Sequence, residues 1–185
     1  IVTGGHGFIG SALIKELLKK KNYKVLNLDS NTYASNPNSL KLIKSNPKYK
    51  FLKINICNPK IKKIITSFKP NVIFHLAAES HVDNSISNSD PFIKSNILGT
   101  YSMLKVYKEF SRLAKNKIIF INVSTDEVYG SIKKGFFSEK SKFYPNSPYS
   151  ASKASADHLV RAWHKTYKLN LITTNCSNNF GPFQN

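Results

Sequence analysis

Of the 185 residues, 41% are hydrophobic, 28 are Lys or Arg and 10 are Asp or Glu, giving a net charge of +18. This is enough chain for one well-buried domain and too little for two; no apolar run reaches the roughly 18 residues of a membrane span, and with no charged-then-apolar leader the sequence reads as soluble and cytoplasmic. The positive charge is nearly all lysine, scattered over helix ends and loops with Arg112 and Arg161 the only arginines, which argues for a solvated basic surface and against a specific nucleic-acid platform, where arginine makes the base-edge and bidentate phosphate contacts.

In chain order, the first apolar run, Ile1-Val2-Thr3, reads as a strand that opens directly on Gly4-Gly5-His6-Gly7-Phe8-Ile9-Gly10. Gly5, Gly7 and Gly10 satisfy G-x-G-x-x-G, and Gly4, Gly7 and Gly10 give the alternative G-x-x-G-x-x-G spacing. Glycines there let the backbone turn tightly and approach a ligand, while the following helix N-terminus offers free N–H groups to a pyrophosphate. That helix, predicted from Phe8 to Lys20, carries Ile9, Leu13, Leu17 and Leu18 at helical spacing. A second strand, Val25 to Leu28, runs into Asp29, 19 residues after Gly10. An acidic side chain at that point accepts hydrogen bonds from the adenosine ribose hydroxyls and repels the extra phosphate of NADP, so the motif favours NAD.

Phe51–Ile54, Val72–Leu76, Ile118–Val123 and Leu171–Thr174 read as four further strands, and Pro91 to Ala114 as a long helix carrying Ile93, Ile97, Leu98, Tyr101, Leu104 and Phe110. Strands apolar nearly throughout, alternating with helices, predict an α/β fold, a doubly wound, Rossmann-like parallel sheet covered on both faces. Cys57 and Cys176 fit neither a metal nor a C-x-x-C spacing, so both are expected as buried free thiols in a reducing compartment. His6, His75, His81, His158 and His164 show no metal spacing either; they read as structural or surface groups, and no metal is expected. Trp163 and Tyr167, four apart, read as helix packing.

The fifth strand runs into Ser124-Thr125-Asp126-Glu127-Val128-Tyr129-Gly130. Adjacent carboxylates there are either a solvated turn or an acid and a base held over a substrate. Successive side chains of an extended strand point to opposite faces, so Asp126 and Glu127 can share a substrate only if the backbone leaves strand geometry at or just after Thr125. Further on, Tyr149 and Lys153 are four apart and share one face of a predicted helix. An ammonium beside the phenol, helped by a positive nicotinamide, favours tyrosinate; bringing the phenol from about 10 toward about 7 takes roughly 4 kcal/mol. Such a tyrosine takes the proton of a sugar or alcohol hydroxyl as hydride leaves the same carbon for NAD, although Y-x-x-x-K by itself also fits an ordinary amphipathic helix.

Together the glycine turn, Leu76-Ala77-Ala78-Glu79-Ser80-His81-Val82-Asp83, the Ser124–Gly130 stretch, Tyr149-Ser150-Ala151-Ser152-Lys153 and Asn175-Cys176-Ser177-Asn178-Asn179 resemble the extended short-chain dehydrogenase/reductase family, in order and over essentially the whole chain. Within it the resemblance is to the dTDP-glucose 4,6-dehydratases. It implies dehydration of a nucleotide-activated glucose to the 4-keto-6-deoxy sugar nucleotide. Tyr149 would be the base for the sugar 4-hydroxyl, Lys153 would hold the nicotinamide ribose, and Thr125 would bond near the 4-hydroxyl. Oxidation at C4 acidifies the C5 proton, which Glu127 would remove while Asp126 protonates the departing 6-hydroxyl; hydride then returns to C6. The resemblance implies further contacts to NAD from Gly4, Gly7, Phe8, Ile9, Gly10, Asp29, Ser30, Asn31, Thr32, Asn55, Ile56, Leu76, Ala77, Ala78, Ser95 and Asn179, and to the sugar-nucleotide substrate from Ser80, Thr125 and Asn178. It also implies a homodimer through the helices Pro91–Ala114 and Pro148–Lys168.

Three positions depart from the family pattern: Asn55 stands where Asp is usual, Asn84 where Arg is usual and Ser35 where Gly is usual. The chain begins inside its first strand and stops at Asn185, where family members continue into a region that binds the nucleotide of the substrate. Residues 1–185 therefore read as the NAD-binding domain with the catalytic residues, truncated at both ends and without the substrate domain. Two other readings stand beside this one. A UDP-glucose 4,6-dehydratase or an epimerase is the first, the epimerase disfavoured because it has no 6-hydroxyl for Asp126 to protonate. A non-catalytic dinucleotide-binding module is the second, if these residues are the whole natural chain.

Overall fold

The structure, a computed structural model, describes residues 1–114 and 117–184. In chain order it runs β1 (Val2–Thr3), α1 (Phe8–Lys19), β2 (Val25–Asp29), a 3-10 segment (Pro37–Ile43), β3 (Tyr49–Lys53), α2 (Lys60–Phe68), β4 (Val72–His75), α3 (Val82–Ser87), α4 (Asp90–Phe92), a π-helical segment (Ile93–Gly99), α5 (Thr100–Leu113), β5 (Ile119–Thr125), a 3-10 turn (Asp126–Tyr129), α6 (Pro148–Tyr167) and β6 (Leu171–Cys176). The strands form one sheet in the order β3-β2-β1-β4-β5-β6, and every pairing is parallel. This is the doubly wound order, in which the chain reverses direction of progress at β1 and leaves a crevice there at the carboxyl ends of the strands.

Both faces of the sheet are covered, which explains the apolar strands. The pleat sends Val2 and Val25 to one face, where they pack with Ile14 of α1 and Leu40 of the first 3-10 segment. Their neighbours Ile1, Leu26 and Leu28 join Ile73 and Phe120 on the other face, against Ile61 and Ile65 of α2, Met103, Leu104 and Tyr107 of α5 and Val160 of α6. The long helix expected over Pro91–Ala114 begins one residue earlier, at Asp90, and contains the π-helical segment. Asn96 of that segment is buried; it accepts from the Glu79 N–H (2.8 Å) and donates to the Glu79 carbonyl (2.9 Å) and Ser152 Oγ (2.8 Å). The extra residue of the π turn thus braces the loop after β4 against α6.

Both cysteines are free, but neither is buried: Cys57 is exposed and Cys176 half-buried. The expectation of buried thiols fails because Cys57 follows Asn55 in a turn at the mouth of the crevice, held by a 2.8 Å bond from its N–H to Asn55 Oδ1. His75, by contrast, is enclosed between the hydroxyls of Thr3 (2.9 Å) and Thr100 (3.1 Å). Burial, with Lys153 nearby, pushes its pKa down to about 3, so the ring is a neutral structural bridge. Among the described residues no cluster of His, Cys, Asp and Glu has metal-ligand geometry, and no helix is long and apolar enough to cross a membrane.

Candidate active site

The crevice at the reversal point is a cleft of about 1170 Å³. Its floor is the glycine turn. The Gly4 N–H bonds the Leu28 carbonyl at 2.8 Å and the Gly7 N–H returns to the Gly4 carbonyl at 3.1 Å, with Gly4 at φ +70°. A Cβ on Gly10 would stand 2.3 Å from the Gly4 carbonyl oxygen, and one on Gly4 2.7 Å from the Ala77 nitrogen, so these two glycines let three backbone segments meet. Gly7 differs: a Cβ there would meet only the Gly4 carbonyl, at 3.2 Å, and otherwise enter open space. Gly7 is also the N-cap of α1 and provides no side-chain cap, so the first-turn N–H groups point into the cleft without a side-chain partner, as an anion-binding helix N-terminus requires.

Asp29 at the end of β2 is buried and already heavily bonded. Its carboxylate accepts from the His6 N–H (2.9 Å), the Asn31 N–H (2.7 Å) and Ser35 Oγ (2.9 Å). Roughly four lone-pair sites leave about one for a ligand hydroxyl. Ser35, in place of a glycine, supplies one of these donors. Asn55 Oδ1 is occupied by the Cys57 N–H, which leaves its amide N–H groups as the unused donors.

At the other end of the cleft, β5 stops at Thr125 and a 3-10 turn takes over at Asp126. Thr125 caps the turn, its Oγ1 accepting from the Glu127 N–H at 3.2 Å. The backbone therefore leaves strand geometry where a shared substrate demands it. Ser147 and Ser150 form a capping box at the start of α6, with Pro148 in its first turn; this fixes Tyr149 and Lys153 on the helix face turned to the cleft. The Tyr149 N–H bonds Ser85 Oγ (3.1 Å) and its ring stands edge-on to Phe92. Lys153, 7% exposed, donates to the Val123 carbonyl at 2.8 Å.

The electrostatics correct one expectation. Tyr149 is not brought toward neutrality in the ligand-free protein: burial, then the Glu127 carboxylate, pushes it up to about 12, with the Thr125 hydroxyl pulling the other way. Burial lowers Lys153, and Asp157 and Cys176 raise it again. Glu127 is held above the ordinary carboxylate range, by desolvation first and the neighbouring Asp126 second. Glu127 is exposed as a residue, so this desolvation comes from the protein on one side of it.

Of the residues singled out in the sequence, Gly4, Gly7, Phe8, Ile9, Gly10, Asp29, Ser30, Thr32, Asn55, Ile56, Leu76, Ala77, Ala78, Ser80, Ser95, Tyr149 and Lys153 all line the cleft. Thr125, Asp126 and Glu127 stand beyond its lining, next to Tyr149. Asn31 turns away, its Oδ1 2.6 Å from His6 Nδ1. Asn178 and Asn179 are exposed, and Asn179 bonds the Ser177 carbonyl instead. The sequence reading missed Tyr33, Lys94 and Ser124 in the lining, and it missed Asn96 and Asp157 behind it. Asp157 had a readable signal, four residues after Lys153 on the same helix face; Asn96 had none.

A doubly wound sheet, a glycine turn at its reversal point and a Tyr–Lys pair on the helix after β5 define a short-chain dehydrogenase/reductase of the extended type. The family model described as GDP-mannose 4,6 dehydratase matches residues 1–185, and the chain belongs to that family. It is 47% identical to the dTDP-glucose 4,6-dehydratase of Haemophilus influenzae, covering 100% of this chain and 56% of that protein. Among solved structures it resembles the dTDP-glucose 4,6-dehydratase of Bacillus anthracis in complex with NAD (TM-score 0.88, 44% identity, 99% of this chain and 56% of that one). It also resembles that of Streptomyces venezuelae with NAD bound (TM-score 0.90, 39% identity, 99% and 56%). The chain thus spans about half the length of the relatives it matches.

Proposed function

We propose that residues 1–185 are the cofactor-binding and catalytic part of an NAD-dependent dTDP-glucose 4,6-dehydratase. The observation that carries this reading is the 3-10 turn at the end of β5, which sets Thr125, Asp126 and Glu127 next to the Tyr149–Lys153 face. A simple dehydrogenase needs one base; a reaction that also removes a C5 proton and protonates a departing hydroxyl needs two more carboxyl groups in different protonation states. The named relatives, all similar over this whole chain, support the same substrate.

Bound NAD would supply the hydride acceptor for C4 and the donor for C6. The glycine turn and the uncapped α1 would hold its pyrophosphate, Asp29 its adenosine ribose, and Lys153 its nicotinamide ribose. Tyr149 accepts the 4-hydroxyl proton. Glu127 takes the C5 proton, Asp126 gives a proton to the leaving 6-hydroxyl so that water departs, and Glu127 returns its proton to C5 as C6 is reduced. We infer a cytoplasmic homodimer joined through the π–α5 and α6 helices, where Ile93, Tyr101 and Tyr167 stay exposed.

The test is the mass of the sugar nucleotide recovered after dTDP-glucose is incubated with NAD and the full-length natural chain. Loss of one water is expected; an unchanged mass would sink the assignment. A second expectation concerns the cradle. In Gly10→Ala the new methyl collides with the Gly4 carbonyl, and overpacking of this kind costs about 1–3 kcal/mol. Calorimetric titration should show NAD affinity down at least about fivefold, and unaltered affinity would contradict the cradle.

A further inference from the structure

Among the described residues Asp157 is the most deeply placed side-chain carboxylate, at 4% exposure, and the proposed reaction gives it no task. It lies one helical turn beyond Lys153 and two beyond Tyr149, on the same face of α6. Its partners are all neutral. Asn122 Nδ2 donates to Oδ1 at 2.9 Å, and Ser124 Oγ (2.7 Å) and Asn175 Nδ2 (3.3 Å) donate to Oδ2. The same Asn175 amide donates to the Thr125 carbonyl at 3.1 Å. Among the described residues no Lys or Arg lies within ion-pair distance of it, the two ion pairs present being Lys19–Glu16 and Lys62–Glu109. A carboxylate buried so far from water is costly unless something nearby uses its charge.

The group that uses it is Lys153, which is equally enclosed and whose one protein partner is the neutral Val123 carbonyl. The titratable groups facing Lys153 are His75 from β4, Tyr149 and Asp157 from its own helix and Cys176 from β6, with Glu127 and Asp126 beyond Tyr149. His75 is neutral, and of the two groups that favour the charged form Asp157 acts more strongly than Cys176. We propose, resting on the reading of the cleft as an NAD site, that Asp157 is a positioning residue: it is the buried counter-charge for Lys153 and the clamp that ties the catalytic ends of β5 and β6 together.

The direction of the electrostatics agrees. Burial works against the charged form of Lys153 and Asp157 is the strongest influence favouring it; reciprocally, the Ser124 hydrogen bond and then Lys153 favour ionised Asp157 against its own burial. The clamp leaves a trace as well. Asn122 points its N–H groups at Asp157 and leaves its own Oδ1 buried with no partner, an orientation that an acceptor-only carboxylate imposes. With an amide at 157, Asn122 can turn over so that its Oδ1 accepts from the new amide, which moves the orphan from Asn122 Oδ1 to Asn122 Nδ2; the substituted side chain itself is the same size.

The test is the pH dependence of NAD affinity, by calorimetry on the full-length chain, for the parent, Asp157→Asn, and the equal-sized pair Asp157→Glu and Asp157→Gln. If Asp157 holds the charge on Lys153, affinity should fall off with rising pH about one unit earlier in the Asn and Gln variants, and Glu should keep the parental limb. The Glu and Gln pair differ in charge alone, so their comparison stands even if both lower the unfolding midpoint. Identical pH dependence in all four proteins would overturn the proposal while leaving the NAD site intact. No NAD binding by the parent would overturn the cofactor reading, and this inference with it.

Discussion

Tyr149→Phe in the full-length chain should slow reduction of NAD by dTDP-glucose in a single turnover by about a thousandfold, the range general acid–base groups supply. The ring is 8% exposed and packs edge-on against Phe92, contacts that phenylalanine keeps, so the loss isolates the hydroxyl. Folding and NAD affinity should hardly change. Retained reduction would remove Tyr149 from the role. In the ligand-free protein burial and Glu127 keep the phenol neutral up to about 12, so the base form is scarce at neutral pH. An added positive charge reverses that, because the three carboxylates nearby, Glu127, Asp126 and Asp157, all act in the wrong direction. The ultraviolet absorbance of the phenolate should therefore appear at lower pH when NAD is bound, and this band should be missing in Tyr149→Phe.

Glu127→Gln should separate the two halves of the reaction. The amide is isosteric and leaves in place the Glu127 N–H bond to Thr125 Oγ1 that shapes the turn. C4 oxidation should proceed and reduced cofactor accumulate, while exchange of the C5 proton with solvent deuterium drops by about two to four orders of magnitude. Because desolvation and Asp126 hold Glu127 above its ordinary range, it loses its capacity to accept a proton as pH falls through that raised value. The acid limb of C5 exchange in the parent should thus lie higher than an ordinary glutamate would give. Normal exchange in the variant would assign the proton to another base.

The parts of this site that local chemistry specifies were legible in advance. Strand runs such as Val25–Leu28 and Ile118–Val123 must be apolar on both faces, and the structure extends them only to Asp29 and Thr125. The glycine turn was readable because its spacing answers to backbone sterics. Features that depend on partners distant in sequence were not. The π turn around Asn96 has the composition of any helix, and its reason is Glu79 and Ser152, which lie 17 and 56 residues away. The high pKa of Tyr149 escaped notice because Tyr–Lys spacing shows the favourable charge and conceals the burial. Asn178 and Asn179, expected at the ligand, are exposed in the 185 residues.

The three bonds accepted by Asp29 bear on how cofactor preference could change in this lineage. A switch to a cofactor with a ribose phosphate is usually pictured as loss of one acidic charge and gain of a basic one. Here the same carboxylate anchors the backbone of His6 in the glycine turn, the turn at Asn31 and the side chain of Ser35. Removing it would strip three donors of their acceptor at once, the buried His6 N–H at a cost of about 1–3 kcal/mol and the half-buried donors of Asn31 and Ser35 at less. With Asp29 holding the adenosine ribose as proposed, selectivity and loop architecture rest on one residue, and an altered preference would have to evolve through several coordinated changes around positions 6, 31 and 35 rather than a single exchange.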